Sequence, residues 1–462
     1  MTDSNITYPG SYRIKSLMLY PFPSSEPRIA VDMRNLVPSL TINESMVEDS
    51  IRGSLSVVDS SGLLEGYPIR GEEMLYIDLE DALGNSRQYR LFVYKVDNVD
   101  IAGINDRLSY TLHFVSFQRF IADQARVISS YNRSVSDIVE AIFNARYRAP
   151  VTSRPVALTG ESAGSDPNKQ IVVEDTDGNV RLIIPRMTPT QAIKFLESRA
   201  YSSSSATCSF RFFESADSFY FVTDEFLYNK AKNDDKIFEF SYTDSLPHDN
   251  SFFLHKMANF TRFKNVARVD TFDDLHGGTY RNKVIVLDIV NRVVNTVDPS
   301  FDYMNARDSY FSGHAEELDG ADRHSTSFIR STFTDENARQ FLMVRDYAEE
   351  DAGQLRGEQY LPEITSNRLS YFKNLSSIRV SASGPGRVDI TCGDFVDVNI
   401  PEFKHLQAEK QTNVQLAGVY MVESVMRVVD KDIYNNEYTL VKRSWDREVD
   451  PTENRFLLGG VT

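Results

Sequence analysis

Two blocks of short, strand-like runs, one near each end of the 462-residue chain, limit what this sequence can fold into. In Met74–Leu79 and again in Val396–Ile400, apolar and polar residues alternate with period two, as in a strand with one buried face. Turn residues such as Asn85 separate the runs of the first block, which covers residues 51–117. Its four or more short strands predict a small antiparallel barrel or sandwich.

The second block repeats the first in the same order. The paired stretches are residues 71–79 with 393–400, residues 91–96 with 419–424, and residues 110–112 with 438–440. The last two pairs share one offset (419 − 91 = 328 and 438 − 110 = 328). We therefore predict two β-domains with the same strand plan, related by internal duplication.

Between the two blocks the pattern becomes α+β. Ser134 precedes apolar residues at helical spacing, and Thr188-Pro189-Thr190-Gln191 has the hydroxyl, proline and glutamine of a capped helix start. Two strands are predicted after the second helix, in residues 209–214 and 219–222. Residues 119–229 are thus expected to form a separate insertion.

The polar stretch 291–364 lacks sustained periodicity and is predicted to form a loop-rich peripheral arm. The expected fold is α+β and mainly β, with two similar small β-domains. The predicted bounds are 1–118 for the first β-domain, 119–229 for the insertion, 230–290 plus 365–449 for the second β-domain, 291–364 for the arm and 450–462 for a C-terminal tail.

Charge and composition exclude several classes of protein. With a formal net charge of −16, the chain should not grip DNA or an anionic membrane electrostatically. Its two cysteines, Cys208 and Cys392, rule out a disulfide scaffold, suit synthesis in a reducing cytosol and are predicted to be buried small apolar residues. No export signal is visible, and no apolar run approaches the ~20 residues of a membrane helix, so no membrane anchor is expected.

The strongest enzymatic signal is Gly160-Glu161-Ser162-Ala163-Gly164, a formal match to the nucleophile-elbow motif. That motif needs a sharp turn from a strand into a helix, which presents the serine beside an oxyanion hole. Here a turn-rich stretch containing Pro167 follows, so a surface loop is the preferred interpretation.

Other candidate sites have simpler explanations. An acidic stretch between His314 and His324 lacks the spacing of a metal site, and Asp273, Asp274 and His276 fit a capped turn. Gly384-Pro385-Gly386 has the wrong spacing for a phosphate loop, and Trp445 fits a core or interface anchor. We therefore predict no catalytic residue, no metal site and no cofactor.

Several motifs of the second half resemble the hub proteins of contractile-tailed phage baseplates. In that family a Gly-x-Tyr precedes a strand ending in Asp, as Gly278-Thr279-Tyr280 precedes Asp288 here, and a "Gly-Asp-x-Val" edge matches Gly393–Val396. The helix at Thr188 also resembles the family's insertion. Further similar stretches are residues 263–270, 368–375, 378–385, 418–425 and 436–443. The resemblance extends over most of residues 30–449, and the arm has no counterpart.

The resemblance implies a structural, non-enzymatic hub in the virion tail baseplate, made in the host bacterial cytoplasm. Each chain would contribute two similar β-barrel tube domains, so that a homotrimer forms a ring with pseudo-sixfold symmetry. Such a ring would join a hexameric tail tube protein to a trimeric central spike protein. The tape measure protein and other baseplate proteins are further expected partners.

The acidity acquires a specific meaning in such a ring. Residues 44–100 contain 12 Asp or Glu against 5 Lys or Arg, and three chains would carry −48 (3 × −16). We predict that Glu72, Glu73, Asp394 and Asp397 line the channel. Their repulsion of phosphates would let DNA pass during ejection without specific binding.

Other functions stay open at the sequence level. A hub of a related contractile injection system, of the tailocin or type VI secretion type, is the nearest alternative. A baseplate-borne cell-wall hydrolase would need a carboxylate pair or serine triad in a cleft. A glycan-binding module would need an exposed aromatic platform.

Overall fold

The structure of the protein is a computed structural model. It describes residues 8–20, 30–66, 69–102, 107–148, 169–205, 207–242, 253–267, 282–297, 339–345, 355–376, 378–401, 413 and 416–442. The fold is α+β and mainly β, as predicted. Most strands belong to one large sheet, which contains the strands of both ends of the chain.

The first section of this sheet contains the predicted N-terminal strands. Its elements are β1 Arg13–Tyr20, β2 Val31–Asp32, β3 Ser39–Ser45, β4 Arg52–Asp59, α1 Leu63–Gly66, β5 Met74–Glu80, β6 Ser86–Ala102 and β7 Arg107–Ser116. Neighbouring strands lie in the order β3-β4-β7-β6-β5-β1-β2. The period-two pattern explains the core, because Leu75, Ile77 and Leu79 of β5 all point inward and are fully buried.

The insertion follows as an α+β unit with its own apolar cluster. Its elements are α2 Phe117–Gln124, β8 Val127–Ser134, α3 Val135–Arg146, β9 Ile171–Val173, β10 Asn179–Met187, α4 Pro189–Glu197, β11 Arg211–Glu214, β12 Phe219–Val222 and α5 Asp224–Asn233. Ser134 caps α3 by accepting from the Asp137 amide, and Thr188 and Gln191 form the predicted capping box of α4. Rings of Phe143, Tyr147 and Phe219 pack at the centre of the cluster.

The second section completes the large sheet. Its elements are β13 Ile237–Tyr242, α6 Phe253–Met257, β14 Asn259–Phe260, β15 Arg262–Ala267, β16 Asn282–Asp288, β17 Val293–Val297, β18 Arg339–Arg345, α7 Arg356–Gln359, α8 Leu361–Leu375, β19 Ile378–Pro385, β20 Phe395–Asn399, β21 Gly418–Val429 and β22 Tyr434–Lys442. Strands β16, β17 and β18 form a separate small sheet. The rest lie in the order β15-β19-β22-β21-β20-β13-β14.

The two sections share a strand order. Taken in chain order, β3 to β7 correspond to β15, β19, β20, β21 and β22, and every pairing within each set is antiparallel. The flanking strands differ, because β1 runs antiparallel to β5 whereas β13 runs parallel to β20. The two predicted blocks therefore share connectivity, and the closure of each into a barrel stays a prediction.

A matching irregularity marks the equivalent strands. The β6–β7 pairing skips Tyr94, and the β21–β22 pairing skips Glu423, so each long strand carries an extra residue next to its middle. Strand β6 has a second irregularity, between Asp97 and Asp100, to which β21 has no counterpart. The bulges at Tyr94 and Glu423 lie 329 positions apart (423 − 94), one more than the offset predicted from the sequence. A one-residue difference matters in a strand, because it exchanges the two faces.

The predicted loop-rich arm contains more regular structure than expected. Within residues 291–364, the described parts include β17, β18, α7 and the start of α8. Strand β17 is the hairpin partner of β16, which lies outside that stretch. Strand β18 pairs with β16 from a distance in sequence that local periodicity does not reveal. Residues 298–338 lie outside the described residues.

Candidate assembly interface

A single pair of strands joins the two sections inside one chain. Residues Ser424–Val429 of β21 pair antiparallel with Leu40–Ser45 of β3, and this pairing is called the seam here. On the same side of β21, the stretch before the bulge pairs with β20. Strands β3 and β20 therefore lie end to end along one edge of β21, separated by Glu423.

A buried ion pair lies in the seam. Arg427 Nη1 is 2.7 Å from Glu44 Oε1, and both side chains are fully buried. The Tyr89 hydroxyl donates to the same Glu44 oxygen at 3.0 Å, and Arg427 Nη2 donates to the Ile390 carbonyl at 2.7 Å. These bonds connect β3 and β6 of the first section with β21 and the loop before β20. They supply partners for part of a buried charge pair that would otherwise be very costly, while Arg427 Nε and Glu44 Oε2 make no hydrogen bond to a described residue.

Electrostatics keep Arg427 protonated. Burial by itself lowers the pKa of Arg427, but the adjacent Glu44 carboxylate outweighs it and raises that pKa above its ordinary value. For Tyr89, burial raises the pKa, so its hydroxyl keeps its proton and stays a donor. Both charged residues occupy inward positions of alternating strands, where an apolar residue is expected. A charged residue at an inward position of an alternating strand is therefore the sequence signal by which the seam could have been predicted.

Two other strand edges are equivalent to the two edges that meet in the seam, and the described residues supply no partner strand for either of them. Beyond Val93, β6 pairs with β7 on one side, and no described strand continues β5 on the other. Strand β15 pairs with β19 on one side, and no described strand lies on its other side. Because β6 corresponds to β21 and β15 to β3, these two free edges are the strands that a second seam would join.

Exposed apolar side chains lie along both free edges. Val99 of β6 is 54% exposed and Val266 of β15 is 57% exposed, while Tyr94 at the β6 bulge is also exposed. Unpaired edges invite pairing with another chain, and monomeric proteins usually protect them with charges, prolines or covering loops. The two edges combine exposed apolar residues with charged ones, such as Asp97 and Asp100 on β6, and they are the candidate interface between chains.

The predicted channel residues divide into two pairs. Glu72 and Asp397 are exposed, whereas Glu73 is buried and Asp394 is mostly buried. The Glu73 carboxylate accepts from the amides of Arg70 and Gly71 at 2.7 and 3.0 Å. The Asp394 carboxylate accepts from the Thr391 amide at 2.8 Å and lies 3.8 Å from Lys236 Nζ.

Glu73 and Asp394 are structurally equivalent. The Val93 amide donates to the Glu73 carbonyl and the Val422 amide donates to the Asp394 carbonyl, both at 2.8 Å. Each carboxylate thus caps the turn that leads into the central hairpin of its section. These two acids have a structural role that sequence reasoning missed, and whether any of the four acids faces a channel stays a prediction.

Most of the weighed enzymatic motifs lie outside the described residues. These are the Ser162 loop, the acidic-histidine stretch from His314 to His324, the Asp273–His276 turn and Trp445. Gly384-Pro385-Gly386 is described, and it continues the end of β19 beside Tyr434. Among the described residues, no group of three or more His, Cys, Asp or Glu side chains is placed to hold a metal ion.

The two cysteines are buried and unpaired by disulfides, in agreement with the prediction. Burial raises the pKa of the Cys208 thiol to about 12 and that of Cys392 well above its ordinary value. Neither is therefore a thiolate nucleophile at neutral pH. In the described part of the chain, no helix is long and apolar enough to cross a membrane.

No family model matches the sequence, and no curated protein sequence matches it. Several solved structures do match. The tail protein from Neisseria meningitidis MC58 shares 10% identity, with 93% of this chain and 96% of that chain covered and a TM-score of 0.48. The prophage MuSo2 43 kDa tail protein from Shewanella oneidensis shares 9% identity, with 93% and 98% covered and a TM-score of 0.46.

A third similar structure is the E. coli c3393 protein, a component of the type VI secretion system. It shares 9% identity, with 95% of this chain and 79% of that chain covered and a TM-score of 0.41. Over most of its length the chain is thus similar to two tail proteins, one of them from a prophage, and to a secretion-system component, in line with the expected resemblance to tail hub proteins. TM-scores and identities this low do not establish the function of this chain, and the seam and the free edges are the features that bear on it.

Proposed function

We propose that this protein is a structural hub of a contractile injection machine, a ring of three chains in the baseplate of a phage tail. The observation that carries the proposal is the match between the seam and the two free edges. A chain with two sections of equal strand order, one internal seam and two unused seam-forming edges has what a closed ring of sections requires.

The geometry of the ring follows from the strand correspondence. The free edge of β6 in one copy pairs with the free edge of β15 in the next copy, antiparallel, as β21 pairs with β3 within the chain. Such a contact is heterologous, because two different surfaces meet, and heterologous contacts build rings when the rotation closes. Main-chain hydrogen bonds supply the contact, as in other cases of strand addition between chains.

Three copies give six sections. A ring of six similar sections presents near-sixfold symmetry on one face, and its three insertions present threefold symmetry elsewhere. The resemblance to hub proteins supplies the partners, a hexameric tail tube protein on one side and a trimeric central spike protein on the other. The tape measure protein and other baseplate proteins are further candidates, and a secretion-type or tailocin hub is the alternative setting for the same ring.

The channel through the ring serves DNA passage. The exposed carboxylates of Glu72 and Asp397 are the better candidates for its wall, since Glu73 and Asp394 have hydrogen-bonded capping roles. A wall of this sign repels phosphates, so DNA slides through without adsorbing. Synthesis in the host cytoplasm and a final location in the virion tail follow from this role.

The experiment is a measurement of mass in solution by light scattering and native mass spectrometry, with the protein alone and mixed with its tube and spike proteins. We expect a species of three times the 52.6 kDa chain mass. The variant Val99→Lys with Val266→Lys places a charge on each free edge and should shift the population to monomer. Ile183→Lys, at a 73% exposed apolar residue of the insertion, is the matched control and should leave the trimer intact.

A protein that stays monomeric in every mixture contradicts the ring. A trimer that survives the paired edge variant retains the ring but places its interface elsewhere, and the proposed β6–β15 pairing is then wrong.

A further inference from the structure

A cavity of about 420 Å³ lies where the first section, the insertion and the second section meet. Its walls come from the turn after β3, the end of α4, the start of β11, the face of α8, β19 and the bulge of β21. The volume lies in the range of small-molecule sites. Neither the seam nor the free edges include this cavity.

The lining is strongly cationic in an acidic protein. Five basic side chains line it against two acidic ones, Glu197 and Glu423. The basic residues are Lys194, Arg211, Arg368, Lys373 and Arg379. In a chain of net charge −16, five cations around one cavity run against the overall charge. Asp49 and Asp224 pair with Lys194 and Arg211 from outside the lining, so five cations face four carboxylates. The remaining excess is one positive charge, which has the sign that attracts an anion.

Arg211 is the least satisfied of these cations. It is mostly buried, and its Nε makes no hydrogen bond although it is shielded from solvent. Its nearest carboxylates are Asp224 at 3.6 Å from Nε and Glu423 at 3.9 Å from Nη1, too far for good hydrogen bonds. A buried donor without an acceptor is costly, so an acceptor entering the cavity would be stabilised.

Two guanidinium groups share one aromatic ring beside this space. Arg211 and Arg368 lie 4.6 and 4.7 Å from the centroid of the Phe372 ring. Phe372 and Arg368 are four residues apart on α8 and so share a face of the helix. Arg368 already donates from both Nη atoms, to the carbonyls of Glu197, Cys208 and Phe210 and to the Glu197 carboxylate. It therefore adds positive charge beside the cavity, and Arg211 is the guanidinium with a donor to offer an anion.

We propose that this cation cavity is a binding site for a small multivalent oxyanion of the phosphate or polycarboxylate class. Arg211 binds the oxygens, and Arg368, Lys373 and Arg379 contribute charge. A bound anion connects the three parts of the chain at one point and stabilises their relative arrangement by mass action.

The test is isothermal titration calorimetry of the full chain with pyrophosphate and with citrate, at constant ionic strength, and with acetate as a monovalent comparison. We expect saturable binding of one or both multivalent anions and none of acetate. Arg211→Gln should weaken the binding by about tenfold or more, since a charge-assisted bond is lost. Arg356→Gln, which removes an exposed arginine paired with Asp177, is the matched control and should bind like the original protein.

Circular dichroism checks that Arg211→Gln is folded. If it is not, Lys373→Gln gives the same information, because this lysine is only partly buried in the cavity wall. Saturable binding that falls in either cavity variant and not in the control supports the site. Absence of binding to the original protein, or binding that neither cavity variant weakens, overturns it.

Discussion

The seam and the free edge of β6 use equivalent strands in opposite ways. In the seam, Arg427 points inward and is paired with Glu44 at 2.7 Å, fully buried. With the bulges at Tyr94 and Glu423 aligned, the residue of β6 that corresponds to Arg427 is Asn98 (427 − 98 = 329), which is exposed and has a φ of 52°. Asn98 lies in a second irregularity of β6, between Asp97 and Asp100, that β21 lacks. The same strand plan therefore carries a buried charge pair in one place and an exposed amide in the other.

This difference fits two kinds of contact. A contact that forms once, during folding, can include a buried ion pair, because its partners never separate afterwards. An edge that stays in water until assembly has to remain soluble, and Asp97, Asn98 and Asp100 serve that need. Pairing of strands within the chain is thus specified by buried side chains. Pairing between chains would be specified by exposed strand edges that can run antiparallel to each other.

The largest expected effect comes from breaking the seam's ion pair. Arg427→Met leaves Glu44 buried without its cation and should lower the free energy of unfolding by about 3–5 kcal/mol. Urea denaturation followed by circular dichroism measures it. The control Arg34→Met removes an exposed pair with Asp32 and should cost less than about 1 kcal/mol.

Combining Arg427→Met with Glu44→Gln removes the uncompensated charge and keeps an acceptor for Tyr89. The double variant should be more stable than the sum of the single effects predicts, by about 2 kcal/mol. Strictly additive losses would mean that the pair does not couple the two sections.

An intermediate effect tests whether the two sections are built alike. Gly71 and Gly393 precede the two capping acids with φ of 83° and 88°, a conformation that disfavours any side chain. Gly71→Ala and Gly393→Ala should each cost about 1–2 kcal/mol in thermal or urea unfolding. Gly84→Ala, at a similar φ but with open space around it, isolates the backbone contribution.

In both capping turns an added methyl group would also meet a neighbour at 3.3 Å, the Tyr94 carbonyl or the Phe213 ring. Both substitutions should therefore cost more than Gly84→Ala. If only one of them does, the turns are not equivalent.

The smallest effect is a difference in pH dependence between two acids. Burial raises the pKa of Asp49, but Arg119 and Lys194 outweigh it and hold that pKa below its usual range. Its stabilisation is complete above the ordinary aspartate range and is lost as the pH falls through the lowered pKa. Burial raises the pKa of Asp394, only partly offset by Lys236, so stability present at low pH is lost as the pH rises through the raised pKa.

Asp49→Asn should therefore reduce the loss of unfolding free energy as the pH falls. Asp394→Asn should instead reduce the loss of unfolding free energy as the pH rises. Urea unfolding at several pH values between about 3 and 6 separates the two, because that range brackets the ordinary aspartate pKa. Changes of the same sign in both variants would contradict the assigned environments.

Much of the local structure could be predicted from the chain. Alternation located β5, β20, β21 and β22, and the capping residues Ser134 and Thr188 located two helices of the insertion. Strand β16 was expected from the resemblance, whereas β17 and β18 were missed in the polar stretch. Strand β18 is ordered by pairing with β16, which is distant in sequence. The candidate interface was missed as well, since an open edge is a property of a sheet and not of a strand.

The amino-acid sequence by itself determined the alternating strands of the two sections, the faces that they bury and the repeat of their order. These are consequences of period-two patterning and local capping, which depend on neighbouring residues alone. Only the tertiary structure decided the register of the repeat, the pairing of Arg427 with Glu44 and the gathering of five cations around one cavity. Each of these depends on groups that are distant in sequence, and only the packed sheet brings them together.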